Sequence, residues 1–251
     1  MLKKWNVTIP ALSGDAPRKA YIYLPDTYEE DLTVRYPVLY MFDGHNIFLD
    51  EDAAFGKSWG MKKFMDDSKK DLIVVAVECN HHGNRRLAEY APFSYRNKAH
   101  GYIESAGKEL MDWMTTVLKP FIDETYRTLP GREHTILAGS SMGGLIALYG
   151  ILAYNHIYQR GACLSPSLWV SPWKVLRMIA KTDAAPDTII YMDYGQLEIS
   201  NHRENPFILK RAVQALLKKK INLAFRIVPN GNHSEASWEK QVPVFMECLG
   251  L

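Results

Sequence analysis

Gly139-Ser140-Ser141-Met142-Gly143 reads G-x-S-x-G, and the residues on either side of it predict a turn between a strand and a helix. An apolar run at 134–138 precedes it, and a helical pattern follows over 144–149. A serine at such a strand–turn–helix junction is held in a strained backbone conformation, with its hydroxyl exposed at the edge of the sheet. Glycines beside it are needed because a Cβ there would collide with the neighbouring strand and helix. Ser141 is therefore the candidate nucleophile.

Composition excludes several classes of protein. The chain has 251 residues, 47% hydrophobic and 23% charged, with a net charge of +2, so no nucleic-acid partner is indicated. Cys79, Cys163 and Cys248 are widely scattered, with neither zinc-ligand spacing nor a disulfide pattern, so we predict no metal.

Residues 1–6 are not followed by the apolar region of a signal peptide, and no apolar run reaches membrane-spanning length. We therefore expect a cytoplasmic protein without a membrane partner. Its oligomeric state stays open.

Strand-like runs alternate with helical patterns along the whole chain. No linker or repeat divides it, so we expect one domain over 1–251. The alternation predicts a mostly parallel sheet with helices on both faces. Eight strands with the serine after the fifth are the α/β-hydrolase arrangement. The predicted strands are 5–9, 19–24, 38–42, 72–77, 134–138, 161–165, 188–193 and 222–228, and the predicted helices are 102–126, 144–149, 172–180, 206–219 and 237–249.

The segment between the sixth and seventh predicted strands is short. Residues 166–187 have room for about one helix and its loops. Hydrolases that carry a cap domain usually insert it there, so we expect no large cap. An open cleft of this kind suits a bulky or extended ester better than a small buried one.

His233 is the candidate base. A serine hydroxyl is a weak nucleophile and needs a base within hydrogen-bond reach, oriented by a carboxylate. In this arrangement the nucleophile, acid and base follow one another along the chain, which places the base after the last strand. Of the eight histidines, only His233 lies there, within the turn-forming segment 229–235.

Two carboxylates could supply the acid that follows the seventh strand. Asp193 lies at the end of that strand, and Glu198 follows in the next loop, just past Gly195. A side chain that must reach an imidazole on another loop is better placed in a loop than in a strand. We therefore favour Glu198, with Asp193 as the alternative.

An oxyanion hole requires two backbone N–H groups aimed at the developing negative charge. One is expected from Met142, directly after the nucleophile. The other is expected from the loop after the third strand, where Gly44 allows a tight turn and His45 supplies the amide.

Eight segments in the same chain order carry a resemblance to a known family. They are 39–48, 58–60, 73–77, 86–92, 118–123, 139–143, 195–198 and 233–238. The chain resembles the esterase family of α/β-hydrolases that includes enterochelin esterases, feruloyl and acetyl-xylan esterases, S-formylglutathione hydrolases and mycolyltransferases.

The resemblance implies a triad of Ser141, Glu198 and His233, with backbone amides of His45 and Met142 in the oxyanion hole. His45 is a departure, because many relatives of the esterase type carry Gln at that position. The family does not fix the substrate.

Two tryptophans are candidate substrate-binding residues. Trp59 and Trp169 each follow the carboxyl end of a predicted strand, the edge at which ligands bind in open α/β sheets.

Together these patterns predict a serine carboxylic-ester hydrolase that works through an acyl-enzyme without a metal or organic cofactor. The expected substrate is a small-molecule or saccharide-linked ester, such as a feruloyl, acetyl-sugar or siderophore-like ester. The alternatives are an acyltransferase with the same triad and a non-catalytic binding protein that kept the fold.

Overall fold

The computed structural model describes residues 1–200 and 205–251, which form an eight-stranded sheet and a two-stranded ribbon. The strands are β1 Leu2–Val7, β2 Arg18–Tyr23, β3 Val38–Phe42, β4 Ile73–Val77, β5 Tyr95–Asn97, β6 Gly101–Ile103, β7 Thr135–Ser140, β8 Arg160–Leu164, β9 Ile189–Gly195 and β10 Asn222–Val228. The order in the main sheet is β1-β2-β4-β3-β7-β8-β9-β10. β2 pairs antiparallel with β1 and β4, and the remaining pairs are parallel.

Helices cover both faces of this sheet. They are α1 Pro10–Ser13, α2 Met61–Ser68, α3 Arg85–Glu89, α4 Gly107–Trp113, α5 Lys119–Thr125, α6 Met142–Ala153, α7 Pro172–Lys181, α8 Gln196–Ser200, α9 Pro206–Leu217, α10 Glu235–Glu239 and α11 Val242–Cys248. The buried side chains of α4 to α7 and α9 belong to one hydrophobic core, and those of α2 and α11 belong to a second. The predicted α/β-hydrolase architecture is therefore confirmed.

The central strands are apolar along their whole length because both of their faces are covered. In β3, Val38, Tyr40 and Phe42 contribute to the first core, whereas Leu39 and Met41 contribute to the second. All five residues are buried. This is the pattern expected of parallel strands packed between two helical layers.

Two predicted helices are interrupted in the structure. The helix expected over 102–126 begins later and contains a π-helical turn, Met114–Leu118, between α4 and α5. Pro120 is the second residue after this turn. It lacks an N–H and its ring crowds the preceding carbonyl groups, so the helix widens there. The helix expected over 237–249 divides into α10 and α11, with Pro243 near the start of the second.

Between β8 and β9 the chain carries one helix, α7, and no large cap domain. The carboxyl ends of β7, β8 and β9 are therefore left without a covering domain from this segment. Within residues 1–200 and 205–251, none of the helices has the length and apolar character that a bilayer crossing requires.

Candidate active site

Ser141 occupies a sharp turn between β7 and α6. Its φ and ψ are 58° and −122°, a conformation that costs a non-glycine residue free energy. The surrounding backbone holds it there: its N–H donates to the carbonyl oxygen of Leu164 at 2.9 Å, and its own carbonyl accepts from the N–H of Leu145 at 3.0 Å. The hydroxyl is thus presented at the carboxyl end of the strand.

The glycines of this turn are required by close backbone contacts. A Cβ on Gly139 would lie 2.5 Å from the carbonyl oxygen of Gly143, and one on Gly144 would lie 2.8 Å from the carbonyl oxygen of Leu164. Real Cβ atoms do not approach backbone oxygens so closely. Strand β7 and helix α6 therefore pack at a distance that only glycine allows.

The structure brings Ser141, His233 and Glu198 into one hydrogen-bonded chain. His233 Nε2 lies 2.9 Å from Ser141 Oγ, and His233 Nδ1 lies 2.6 Å from Glu198 Oε2. The edge of the imidazole also meets the ring of Trp238, with the centroids 5.0 Å apart. This geometry can pass a proton from the serine hydroxyl to the imidazole while the carboxylate orients the ring.

Glu198 lies on the short helix α8, whereas the sequence placed it in a loop. Its second oxygen, Oε1, accepts hydrogen bonds from Ser165 Oγ at 2.6 Å and from the N–H of Gly195 at 2.8 Å. Burial by itself would raise the pKa of Glu198, but the hydrogen bonds from His233, Ser165 and Gly195 more than offset it and hold the pKa below its ordinary value. The carboxylate is therefore buried in its charged form.

Asp193, the alternative acid, lies inside β9 rather than at its end, and it faces other partners. Its Oδ2 accepts from the hydroxyl of Tyr191 at 2.8 Å, and its Oδ1 accepts from the N–H of Ser165 at 3.3 Å. Burial raises the pKa of Asp193 to about 7, well above its ordinary value. In the described structure the imidazole of His233 is hydrogen-bonded to Ser141 and to Glu198, not to Asp193.

The two candidate oxyanion amides lie at the ends of neighbouring strands. His45 sits in a 3₁₀ turn, Gly44–Asn46, after β3, and Met142 is the first residue of α6. No hydrogen bond within residues 1–200 and 205–251 uses the N–H of either residue. The first N–H groups of a helix have no intrahelical partner, so the Met142 amide is available to a ligand.

The loop that carries the candidate oxyanion amide of His45, residues 43–46 and called the oxyanion loop below, is anchored by an ion pair that sequence analysis did not find. Arg86 Nε and Nη2 contact the two carboxylate oxygens of Asp43, each at 2.7 Å. The N–H of Asp43 donates to the hydroxyl of Tyr90 at 3.0 Å. Burial by itself would raise the pKa of Asp43, and the guanidinium of Arg86 more than offsets it, so the pKa lies below its ordinary value. A Cβ on Gly143 would lie 3.2 Å from Asp43 Oδ2, so this anchor also abuts the nucleophile turn.

The side chain of His45 is buried beside this anchor. The residue is 6% exposed, and its ring meets the ring of His81 edge-on, with the centroids 4.6 Å apart. Burial is the main cause that lowers the pKa of His45 below its ordinary value. The imidazole is therefore neutral near pH 7.

The two candidate substrate-binding tryptophans lie in different environments. Trp169 is 40% exposed and meets Tyr95 edge-on at 5.8 Å. Trp59 is 2% exposed and packs between Trp238 and Phe245, at 6.1 and 6.4 Å. The structure therefore places Trp59 in the core rather than on the surface of the cleft. Its indole was expected at the strand edge, but the chain after Asn46 folds back and buries it.

Ser165 and Ser167 join the site, although sequence analysis did not single them out. Ser165 contacts Glu198, as described above, and Ser167 Oγ lies 3.4 Å from Ser141 Oγ. Both follow β8 directly, so their place at the carboxyl edge of the sheet was the available signal. A serine after a strand is too common to be recognised without the neighbouring elements.

An eight-stranded, mostly parallel sheet with a strained serine after its fifth strand defines the protein as an α/β-hydrolase. The family model described as "Putative esterase" matches residues 13–246, and the chain belongs to that family. Membership places it among the carboxylic ester hydrolases as a class.

The chain is similar to known proteins at low sequence identity. The uncharacterized protein YbbA of Bacillus subtilis (strain 168) is 23% identical over 154 residues, which cover 61% of this chain and 58% of that relative. A ferulic acid esterase structure aligns with a TM-score of 0.70 at 16% identity, covering 100% of this chain and 97% of the other. The enterobactin esterase FES from Shigella flexneri aligns with a TM-score of 0.70 at 18% identity, covering 100% of this chain and 59% of the other.

Proposed function

We propose that this protein is a serine carboxylic-ester hydrolase in which Ser141 is the nucleophile, His233 the base and Glu198 the acid of the triad. The observation that carries the proposal is the continuous hydrogen-bonded chain from Ser141 Oγ through His233 to Glu198, with contacts of 2.9 and 2.6 Å. Family membership supports the reaction class.

The proposed reaction has two steps. Ser141 Oγ attacks the ester carbonyl while His233 Nε2 takes the hydroxyl proton, and the amides of His45 and Met142 stabilise the oxyanion of the tetrahedral intermediate. His233 then gives the proton to the leaving alcohol, and an acyl-enzyme remains. Water, activated by His233, releases the acid, and the carboxylate of Glu198 stabilises the imidazolium in both steps.

For the substrate we propose a bulky or extended ester, such as a feruloyl, acetyl-sugar or siderophore-like ester. The short connection between β8 and β9 places no cap domain over the nucleophile, and the exposed indole of Trp169 offers an apolar surface two residues after Ser167. Proteins of similar fold are named as a ferulic acid esterase and an enterobactin esterase. Both names are compatible with an open cleft.

The test is hydrolysis of p-nitrophenyl acetate and butyrate by the wild type and by Ser141→Ala. We expect activity that disappears in this variant, whereas Ser140→Ala, one residue away in the same turn, retains most of it. A fluorophosphonate probe should label the wild type covalently and leave Ser141→Ala unlabelled. Equal background hydrolysis and no labelling in either protein would indicate a binding protein that kept the fold.

Acyl transfer uses the same residues and differs only in the acceptor. The partition of products with and without an added alcohol distinguishes the two reactions. We expect free acid as the main product under both conditions, and a dominant new ester would identify a transferase instead.

A further inference from the structure

A histidine, a cysteine and a second histidine lie together beside the oxyanion loop. Three potential ligand atoms lie within 4.8 Å of one another: a ring nitrogen of His45, a ring nitrogen of His81 and the Sγ of Cys79. Among the described residues, these side chains form the one group of three or more that could hold a metal ion. His45 and Cys79 are buried, whereas His81 is exposed. We propose that these three side chains form a binding site for a divalent transition metal ion of the zinc type, separate from the hydrolytic triad.

An unsatisfied buried atom points to a ligand at this place. His45 is 6% exposed, and its Nδ1 is buried without a hydrogen-bond partner in the described part of the chain. A buried polar atom without a partner costs free energy, and most such atoms in folded proteins are paired. A metal ion bound at this nitrogen would satisfy it.

His81 has the thiol of Cys79 on the side of one ring nitrogen and a carboxylate on the side of the other. Its Nδ1 faces Cys79 Sγ at 3.9 Å, and its Nε2 faces Glu78 Oε2 at 3.9 Å. The same carboxylate is held by the hydroxyl of Tyr21 at 2.9 Å. A carboxylate at the far nitrogen of a bound imidazole fixes the tautomer and raises the basicity of the nitrogen that binds the metal.

The chemistry of the three ligands selects the metal. Two imidazoles and one thiolate suit zinc and its spectroscopic substitute cobalt, which bind such groups tetrahedrally and can hold water in the fourth position. Binding replaces the S–H bond of Cys79 with a sulfur–metal bond and releases one proton to solvent.

The ligand atoms must approach one another for the metal to bind. Neighbouring ligands in a tetrahedral zinc site are roughly 3.5 Å apart, closer than the 4.8 Å limit within which these atoms lie. The side chain of His81 is 54% exposed and can rotate to close this gap. His45 and Cys79 are held by their packing and supply the fixed half of the site.

Two of the carboxylates around the cluster already have a cationic partner. Arg86 contacts both oxygens of Asp43, and Arg18 contacts Glu89. The carboxylate of Glu78, which acts electrostatically on His45, remains to interact with a bound cation. A metal ion bound here would contact the side chain of His45, whose backbone we place in the oxyanion hole. The site therefore lies against the catalytic machinery without sharing a catalytic side chain.

The test is direct metal binding to the full chain. Titration of the metal-free protein with Co²⁺ should produce the absorption of thiolate-to-cobalt charge transfer at one ion per chain, and calorimetry with Zn²⁺ should give the same stoichiometry. We expect Cys79→Ser to abolish this absorption and His81→Gln to weaken binding by at least about tenfold. Two matched controls, His82→Gln and Cys248→Ser, change an exposed neighbour and another cysteine, and both should bind as the wild type does.

His81→Gln keeps the test decisive even if the buried Cys79 variant fails to fold, because His81 is on the surface. The proposal is overturned if the wild type shows no charge-transfer absorption, or if His81→Gln binds zinc as tightly as His82→Gln does. Neither measurement depends on ester hydrolysis, so failure of the proposed function would leave this result unaffected.

Discussion

The hydroxyl of Ser165 donates a hydrogen bond of 2.6 Å to Oε1 of Glu198, the carboxylate oxygen that does not contact the imidazole of His233. Ser165 Oγ in turn accepts from Trp238 Nε1 at 3.2 Å. Ser165 is 1% exposed, so it acts behind the triad rather than on a substrate. The acid of the proposed triad is thus held at both of its oxygens.

Removing this hydroxyl should weaken catalysis without weakening substrate binding. A hydrogen bond to a charged group contributes about 1.5–3 kcal/mol, and only the part that supports the imidazolium affects the rate. We expect Ser165→Ala to lower kcat about tenfold on p-nitrophenyl butyrate and to leave KM within twofold.

Ser165→Gly is the matched control for backbone strain. The φ of Ser165 is 43°, which glycine adopts more readily than alanine. Both variants lack the hydroxyl, so we expect both to lose kcat to the same extent although the glycine variant is the more stable. If kcat fell only in the less stable alanine variant and the glycine variant were fully active, the hydroxyl of Ser165 would not be what positions Glu198.

Two amide substitutions distinguish the candidate acids. Glu198→Gln removes the charge that faces His233 Nδ1, and we expect kcat to fall roughly 10²- to 10⁴-fold. Asp193→Asn changes a carboxylate whose described partners are Tyr191 and Ser165, and kcat should stay within about threefold. Steady-state kinetics at pH 8 decides between them. A larger loss in Asp193→Asn would reverse the assignment of the acid.

Asp193 should also make stability depend on pH. Its pKa is about 7 in the folded protein and 3.8 ordinarily, so between these values the folded state binds the proton that the unfolded chain has released. This contribution is fully present below pH 4 and is lost as the pH rises through about 7. Relative to Asp193→Asn, the wild type should lose roughly 2.5 kcal/mol of unfolding free energy between pH 5 and pH 8. Urea denaturation at both pH values measures this, and a constant difference would refute it.

Much of the fold was predictable because the central strands are buried on both faces. The continuous apolar run of β3 was predicted with the bounds that the structure gives, as were the bounds of the edge strand β10, and the serine turn marked the junction of β7 and α6. The chain order of nucleophile, acid and base follows from the parallel sheet, since the carboxyl ends of its strands meet at one edge.

Features that depend on distant contacts were not predictable from local patterns. The pair Asp43–Arg86 joins residues 43 positions apart, and no local pattern links one residue to the other. Trp59 follows a strand edge in sequence, but its burial depends on Trp238 and Phe245 from the end of the chain. Likewise, Cys79 and His81 form a candidate metal site only because the fold brings them next to His45.

Loss of Arg86 should uncouple the oxyanion loop. Arg86→Met would leave the carboxylate of Asp43, which is 5% exposed, without its counter-ion, and we expect a loss of about 3 kcal/mol in unfolding free energy together with at least a tenfold fall in kcat. Arg86→Lys should keep most of the stability but not the two-pronged contact, so kcat falls several-fold. Urea denaturation and kinetics of the same samples separate the two effects.

An exposed ion pair serves as the comparison for Arg86. Lys63 and Asp67 contact each other on α2 with side chains that are 80% and 64% exposed, so Lys63→Met should change neither stability nor kcat measurably. The double variant Asp43→Asn with Arg86→Met removes the buried charge and should recover stability without recovering kcat. Full recovery of kcat would show that the loop needs no anchor.

A methyl group on Gly139 should disturb the nucleophile. The new Cβ would lie 2.5 Å from the carbonyl oxygen of Gly143, so β7 and the start of α6 must separate, and Ser141 lies between them. We expect Gly139→Ala to lower unfolding free energy by about 1–3 kcal/mol and kcat at least tenfold. Gly56→Ala is the control, because a Cβ at this position meets nothing within 4 Å. The φ of Gly56 is +67°, so alanine there should lower the unfolding free energy by about 1 kcal/mol through backbone strain. We expect no effect on kcat. If both variants kept full activity, the close packing of strand and helix would not be what positions Ser141.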